Sequence, residues 1–252
     1  MTLTVDLNSD MGEGFGRWSL GDDAALLKIV TSANVACGFH AGDPDVMATT
    51  MRVAVENGVG IGAHPGFPDL QGFGRRRMHL PAESLANAVR YQIGAALAVA
   101  KSVGGKVRHV KLHGALSNMA SVDAALARTC YEAALDVAPD LVIMVLAATA
   151  QEEVVRDLGC TYAAEIFADR AYEDDATLLD RSKPGAVIHD PARAAARMVD
   201  MVTAGAIISE TGKRIPTRID TICLHGDTPE AVGIAKDVRG ALEAAGIAVA
   251  RF

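Results

Sequence analysis

Hydrophobic and polar positions along this chain form a repeating order of short apolar runs and longer amphipathic stretches. The short runs are rich in β-branched and other apolar residues, and their lengths are typical of β-strands. They are Leu3–Leu7, Ala33–Cys37, Val59–Ala63, Val107–Leu112, Leu141–Leu146, Tyr162–Phe167 and Thr221–Leu224. The alternation of these seven strands with amphipathic stretches predicts a parallel sheet that is covered by helices.

Capping residues and helical periodicity place the helices between the strands. In three places a residue with a capping side chain stands before a proline, which is favoured at the first helical position: Asp43-Pro44, Asp190-Pro191 and Thr228-Pro229. A long apolar stripe follows Pro81 and ends at Gly104-Gly105. Further helices are predicted over Asp22–Val30, Leu126–Val137, Gln151–Leu158 and Ile234–Ala245.

We predict that residues 1–252 form one catalytic domain, an α/β fold with a complete or slightly irregular β/α barrel. Polar residues follow nearly every strand, and a barrel gathers them at the C-terminal ends of its strands. An open doubly wound sheet would concentrate them at one switch point instead. The glycine-rich, charged segment Gly66–His79 is predicted to arch over the active face.

Composition and charge exclude several classes of partner. The formal net charge is −7, and Arg75-Arg76-Arg77 is the only basic run, which argues against a nucleic-acid partner. No apolar run reaches the length of a membrane span, and the first strand leaves no room for a signal peptide. We therefore expect a cytoplasmic enzyme with no membrane partner. The four cysteines are widely spaced, which indicates free thiols.

Ionisable residues at the strand ends predict a catalytic site. Asp10 and Glu13 follow the first strand in a glycine-containing turn, and His40 and His64 follow the second and third strands. Lys111 and His113 alternate along the fourth strand, so their side chains share one face. Because parallel strands end at the same rim, we predict that these six residues are catalytic: Asp10, Glu13, His40, His64, Lys111 and His113.

A second set of polar residues is predicted to bind the substrate. These residues lie within the first two strands or gather at the ends of the sixth and seventh: Asn8, Asn34, Glu165, Asp169, Arg170, His225 and Asp227. His109 lies within the fourth strand, and we assign it no role.

Six ordered motifs, which span nearly the whole chain, resemble the LamB/YcsF family. They are Asp6–Glu13, Ala33–Asp43, Gly62–Asp69, Lys111–Leu116, Glu165–Tyr172 and Leu224–Pro229. The resemblance implies an irregular seven-stranded TIM-like barrel, similar to glycoside hydrolase and deacetylase barrels. It also implies ATP-dependent hydrolytic ring opening of 5-oxo-L-proline to L-glutamate, in a complex with two partner subunits.

Three positions depart from the pattern of that family. Leu112, Ser117 and Ala176 stand where the family usually has proline, tyrosine and glycine. The serine removes an aromatic hydroxyl that would face a ligand, and the alanine stiffens a turn. These departures concern substrate preference more than the fold.

The implied chemistry fits the candidate residues. A lactam is a stable amide, so its hydrolysis benefits from ATP, from a base that activates water and from a donor to the oxyanion. We expect Asp10 or a histidine as the base, Lys111 and His113 as electrophilic partners, and Lys111 as the cation for the substrate carboxylate. Gly212-Lys213-Arg214 lacks the spacing of a Walker loop, so we expect the partner subunits to handle much of the ATP.

Two other interpretations remain open at this stage. Asp10, His40 and His64 match the ligands of a metal-dependent deacetylase acting on a small amide or sugar. A divalent metal is therefore compatible with the sequence, although we do not predict one. The chain also fits a non-catalytic subunit that binds a lactam or a sugar.

Overall fold

Seven parallel strands close into a barrel in this computed structural model, which describes residues 3–226 and 230–252. The strands, in chain order, are β1 Thr4–Met11, β2 Ser32–Ala36, β3 Gly60–His64, β4 Val107–Lys111, β5 Val142–Leu146, β6 Tyr162–Phe167, β7 Ala206–Ile208, β8 Arg214–Pro216, β9 Thr221–Leu224 and β10 Ala248–Val249. Pairing follows the order β1-β2-β3-β4-β5-β6-β9, and β1 pairs with β9 to close the barrel. The prediction of a seven-stranded barrel is confirmed.

The helices connect the strands and pack around the barrel. They are α1 Asp23–Leu26, α2 Pro44–Glu56, α3 Ala82–Ser102, α4 Gly114–Ala120, α5 Ala124–Val137, α6 Ala150–Leu158, α7 Pro191–Ala204 and α8 Ala231–Ala244. The Asp43 and Asp190 side chains accept hydrogen bonds from the first backbone N–H groups of α2 and α7, as their sequence context predicts. The third predicted cap, Thr228, lies outside the described residues. Within the described ranges, no helix combines the length and apolar character that crossing a bilayer requires.

Several short elements differ from the sequence prediction. Helix α1 ends at Leu26 rather than near Val30, because the chain turns there so that Thr31 can hydrogen-bond the Leu7 carbonyl at the start of β2. Helix α4, the antiparallel β7–β8 pair and β10, which pairs with β1, were not predicted. Each is too short to produce a clear apolar period in the sequence.

The interior of the barrel is polar, whereas the apolar side chains pack between the sheet and the helices. Asn8 donates a hydrogen bond of 2.7 Å to Thr221 Oγ1, and Asn34 donates one of 2.7 Å to Asn8 Oδ1. His109 Nε2 lies 2.7 Å from Asn34 Oδ1. These buried contacts join side chains of β1, β2, β4 and β9 across the inside of the barrel.

Asp6 ties together the strands at the closure of the barrel. Its carboxylate accepts hydrogen bonds from the hydroxyls of Thr31 at 2.6 Å, Ser32 at 2.7 Å and Thr221 at 2.5 Å. Burial raises the pKa of Asp6, and the three hydroxyls offset part of that rise. One side chain of β1 therefore links that strand to the start of β2 and to β9.

We expect Asp6→Ala to lower the free energy of unfolding by about 2–4 kcal/mol, because it leaves three hydroxyls without their acceptor. Urea denaturation of both proteins measures the difference. The matched control is Asp157→Ala, whose side chain is 69 % exposed and should change stability by less than about 0.5 kcal/mol. Equal stability of Asp6→Ala and the unaltered protein would show that closure of the barrel does not need this carboxylate.

Candidate active site

The structure brings the six catalytic candidates together at the C-terminal end of the barrel. Five of them line a cavity of about 590 Å³: Asp10, Glu13, His64, Lys111 and His113. The sixth, His40, is buried beside the cavity and stacks on His113, with the ring centroids 3.6 Å apart. Their placement matches the expected convergence of strand ends, and their catalytic role stays a prediction.

The Lys111 ammonium lies at the centre of a buried charged cluster. Its Nζ is 2.9 Å from Asp10 Oδ1, 2.8 Å from Glu165 Oε1 and 3.0 Å from Cys223 Sγ. Burial alone would lower the pKa of Lys111, but the neighbouring groups, Asp10 first, raise it well above its ordinary value. Lys111 is therefore a permanent cation inside the barrel.

This position does not fit the expectation that Lys111 binds the substrate carboxylate. The residue is 3 % exposed, and the three donor positions of its ammonium already face partners of the same chain. The alternation of residues 111 and 113 placed both on one face correctly. It could not reveal that Asp10 and Glu165 occupy the ammonium.

Asp10 is held as a carboxylate that orients its neighbours. Its Oδ1 accepts a hydrogen bond of 2.9 Å from Asn34 Nδ2, and its Oδ2 lies 3.3 Å from His64 Nε2. Burial would raise the pKa of Asp10, but His64 and Lys111 hold it well below the ordinary value. A carboxylate with such a low pKa is a weak base, so the histidines are better placed to accept a proton.

Backbone carbonyls set the tautomers of His64 and His113. His64 Nδ1 lies 2.8 Å from the Lys111 carbonyl oxygen, and His113 Nε2 lies 2.9 Å from that of Phe73. Because a carbonyl only accepts, we assign a hydrogen to each of these two nitrogens. The remaining nitrogens, His64 Nε2 and His113 Nδ1, lie 2.9 Å apart and share one hydrogen bond. Burial, followed by His64, holds the pKa of His113 well below its ordinary value, so this imidazole is neutral.

His40 and Glu13 complete a group that could hold a metal ion. Glu13 Oε1 is 3.9 Å from both His40 Nε2 and His113 Nδ1, and one atom from each of Glu13, His40, His64 and His113 falls within 4.8 Å of the others. Neither ring nitrogen of His40 has a hydrogen-bond partner among the described residues. However, the His40 and His113 rings are parallel within 5°. An ion in the plane of one ring lies outside the plane of the other, so the four residues fit an ion only if one ring turns.

A second oriented histidine lies at the end of β9, across the barrel from β3 and β4. His225 Nδ1 is 2.7 Å from Asp169 Oδ2, and the His225 ring stacks on Phe167. Burial would raise the pKa of Asp169, but His225 brings it below the ordinary value. The carboxylate therefore holds the Nδ1 hydrogen. His225 also lines the cavity, with one of its atoms within 4.8 Å of an Asp10 oxygen.

The predicted substrate-binding residues separate into two groups. Asn8, Asn34 and Glu165 are buried inside the barrel, where they hold Asp10, His109 and Lys111. Arg170 and His225 line the cavity, and Asp169 lies behind His225. The remaining candidate, Asp227, lies outside the described residues.

Some of the residues that support the site were not identified from the sequence. His109 holds Asn34, and its two-residue spacing from Lys111 was the signal that it shares the inner face. Gly62 leaves room for this ring, since a Cβ there would lie 2.0 Å from His109 Nε2. The segment Gly66–His79 does lie over the histidines, because Phe73, at φ 54°, supplies the carbonyl that contacts His113.

The three departures from the family pattern lie in or near the cavity. Leu112 and Ser117 line it, and Ala176 lies in the chain segment that follows β6, next to the lining residue Asp175. Ala176 has φ 68°, a left-handed conformation that costs a non-glycine residue roughly 1 kcal/mol. This strain explains why a glycine suits the position.

We expect Lys111→Met to lower the free energy of unfolding by about 3–5 kcal/mol, because it leaves the Asp10 and Glu165 carboxylates buried without a cation. Replacing Glu165 as well, in Lys111→Met/Glu165→Gln, should restore part of the loss. Urea denaturation measures both effects, and Lys101→Met in the exposed face of α3 is the matched control. A single variant as stable as the unaltered protein would contradict the cluster.

The comparisons with known proteins agree with this architecture. The LamB/YcsF family matches residues 5–252. A curated A-type subunit of 5-oxoprolinase from Ruegeria pomeroyi is 68 % identical over 98 % of each chain, and one from Rhodopseudomonas palustris is 56 % identical over 99 % of this chain and 98 % of its own. The crystal structure of a lactam utilization protein from Thermus thermophilus superposes with a TM-score of 0.93 at 44 % identity, covering 99 % of this chain and 100 % of that one. This chain belongs to the LamB/YcsF family.

Proposed function

We propose that this chain is the A-type subunit of a 5-oxoprolinase and opens the ring of 5-oxo-L-proline by hydrolysis to give L-glutamate. The names of its relatives support the substrate, since they include a 5-oxoprolinase subunit and a lactam utilization protein. The observation that carries the chemistry is the convergence of oriented imidazoles, His64 and His113 on one wall and His225 on another, around one cavity.

Hydrolysis of the lactam needs one group to accept a proton and one to donate it. Neutral His113, through its hydrogen bond with His64, takes a proton from water as the water oxygen bonds to the ring carbonyl carbon. The carbonyl electron pair moves to oxygen and then returns as the bond to the ring nitrogen breaks. That nitrogen takes a proton from a histidine, for which His225 on Asp169 is the best placed, and the product is glutamate.

ATP would be handled largely by partner subunits in this proposal. The sequence has no Walker loop, and the names of the relatives imply a complex with other subunits. Phosphorylation of the amide oxygen would turn it into a good leaving group, so that this barrel would complete the ring opening. A cavity of about 590 Å³ has room for a small lactam that carries a phosphoryl group.

A metal-dependent amide hydrolase is the second candidate function. The grouping of Glu13, His40, His64 and His113 favours it, because histidine and carboxylate ligands suit a zinc-like ion. The bound ion would act as a Lewis acid on the carbonyl oxygen. In this candidate, activity of the isolated chain would depend on the metal rather than on ATP.

We expect the isolated chain to release negligible glutamate from 5-oxo-L-proline, and mixing with the partner subunits and ATP to restore release. In the mixture, His113→Gln and His225→Gln should each lower kcat by roughly 10²–10⁴-fold, the usual contribution of a general acid or base. His189→Gln, at an exposed position, is the matched control and should keep full activity.

The same assay separates the alternatives. ATP-dependent turnover by the homogeneous isolated chain would contradict the dependence on partners. ATP-independent hydrolysis of an amide, lost after dialysis against a chelator and regained with zinc, would favour the metal-dependent candidate. An active mixture with unchanged turnover in both histidine variants would assign the chemistry to another subunit and leave this chain a binding role.

A further inference from the structure

Arg170 is a buried cation without a carboxylate partner. Its side chain lines the cavity, although the residue is only 3 % exposed. It donates from Nε to the Ala186 carbonyl at 3.2 Å and from Nη2 to the Leu179 carbonyl at 2.5 Å. Both acceptors are neutral, and its guanidinium forms no ion pair within the described part of the chain. Buried charges are normally paired, so an unpaired one beside a cavity points to an anionic ligand.

The surroundings of Arg170 reinforce its positive charge. Arg75 and Arg181 line the same cavity. Burial, and next the Arg181 guanidinium, lowers the pKa of Arg170 to about 10, while Asp169 offsets part of this shift. The group therefore stays charged at neutral pH, in a site where cations repel one another.

The nearby acidic residues are engaged elsewhere. The Asp169 carboxylate is hydrogen-bonded to His225. Asp175 and Asp180 also line the cavity, but each accepts hydrogen bonds from its own turn, Asp175 from Thr177 and Asp180 from Ser182. None of the three forms an ion pair with Arg170 in the described structure.

We propose that Arg170, assisted by Arg181 and Arg75, forms an anion subsite that binds the carboxylate of the lactam substrate. A phosphoryl group has the same chemistry of charged oxygens, and the experiment below separates the two sources. The inference rests on the proposed function for its choice of substrate, and it assigns to Arg170 the role that the sequence suggested for Lys111.

The subsite also explains how the substrate would be oriented. Arg170 directly follows Asp169, the residue that holds His225. An anchor for the carboxylate and an oriented imidazole therefore come from one short segment after β6. A lactam held by its carboxylate would place its ring between Arg170 and the histidines. A lactam without that group would lose the anchor.

The test is calorimetric binding to the isolated full-length chain, with 5-oxo-L-proline, 2-pyrrolidinone and inorganic phosphate as probes. We expect 5-oxo-L-proline to bind at least tenfold more tightly than 2-pyrrolidinone, which lacks the carboxylate. Arg170→Gln and Arg181→Gln should each weaken 5-oxo-L-proline roughly tenfold to a hundredfold, in line with the loss of a charge-assisted hydrogen bond, and leave 2-pyrrolidinone unchanged.

Two controls separate ligand binding from folding. Arg193→Gln removes a surface arginine that lies outside the cavity and should leave binding unchanged. Arg197→Gln removes hydrogen bonds to the Ala168 and Arg170 carbonyls, and so perturbs the same segment without removing a cavity charge. If Arg170→Gln does not fold, the exposed Arg181→Gln carries the same readout.

Each outcome decides the proposal. Discrimination against 2-pyrrolidinone that disappears in the two cavity variants supports a carboxylate subsite. Arginine-dependent binding of phosphate without binding of 5-oxo-L-proline overturns the carboxylate assignment in favour of a phosphoryl group. Unchanged affinities in the folded cavity variants overturn the subsite altogether. If the complex with partners and ATP releases no glutamate while the carboxylate discrimination persists, the proposed function fails and the subsite stands.

Discussion

The buried ion pairs of Lys111 are the interaction on which the rest of the site depends. The ammonium lies between the Asp10 and Glu165 carboxylates at 2.9 and 2.8 Å, in the interior of the barrel. Desolvation of these charges is costly, and only the close mutual geometry offsets it. With Lys111 in place, Asp10 stays ionised and faces His64, which in turn faces His113 at the cavity. The charge at the centre of the barrel is thus connected to the imidazoles by a continuous chain of contacts.

The polar interior gives this chain of contacts a fixed position. Inward side chains in many β/α barrels are bulky and apolar, and they form packed layers. Here Asp6, Asn8 and Asp10 alternate along β1 and bond to neighbouring or opposite strands. Fixed hydrogen bonds of this kind preorganise a site, since its dipoles need not reorient during the reaction. The cost is a strict need for satisfied polar groups beneath the cavity.

Much of the architecture could be predicted from the sequence, because it depends on local periodicity. The seven strands, the caps at Asp43 and Asp190 and the convergence of strand-end residues all follow from such patterns. The partners of Lys111 could not be predicted, because they depend on barrel closure and on the register that sets Asp10 opposite Asn34. The missing counter-ion of Arg170 likewise becomes visible only in three dimensions, since Asp169 is its neighbour in sequence but bonds to His225.

The most direct test of the account is the protonation of the histidine pair that Lys111 and Asp10 support. Nitrogen-15 NMR of the full-length chain, labelled at histidine and assigned with single-residue variants, reports the state of each ring nitrogen at pH 7. The account expects a neutral His113 that carries its hydrogen on Nε2, and a His64 that carries a hydrogen on Nδ1, as their carbonyl partners require. A doubly protonated His113, or one with its hydrogen on Nδ1 alone, would contradict the account.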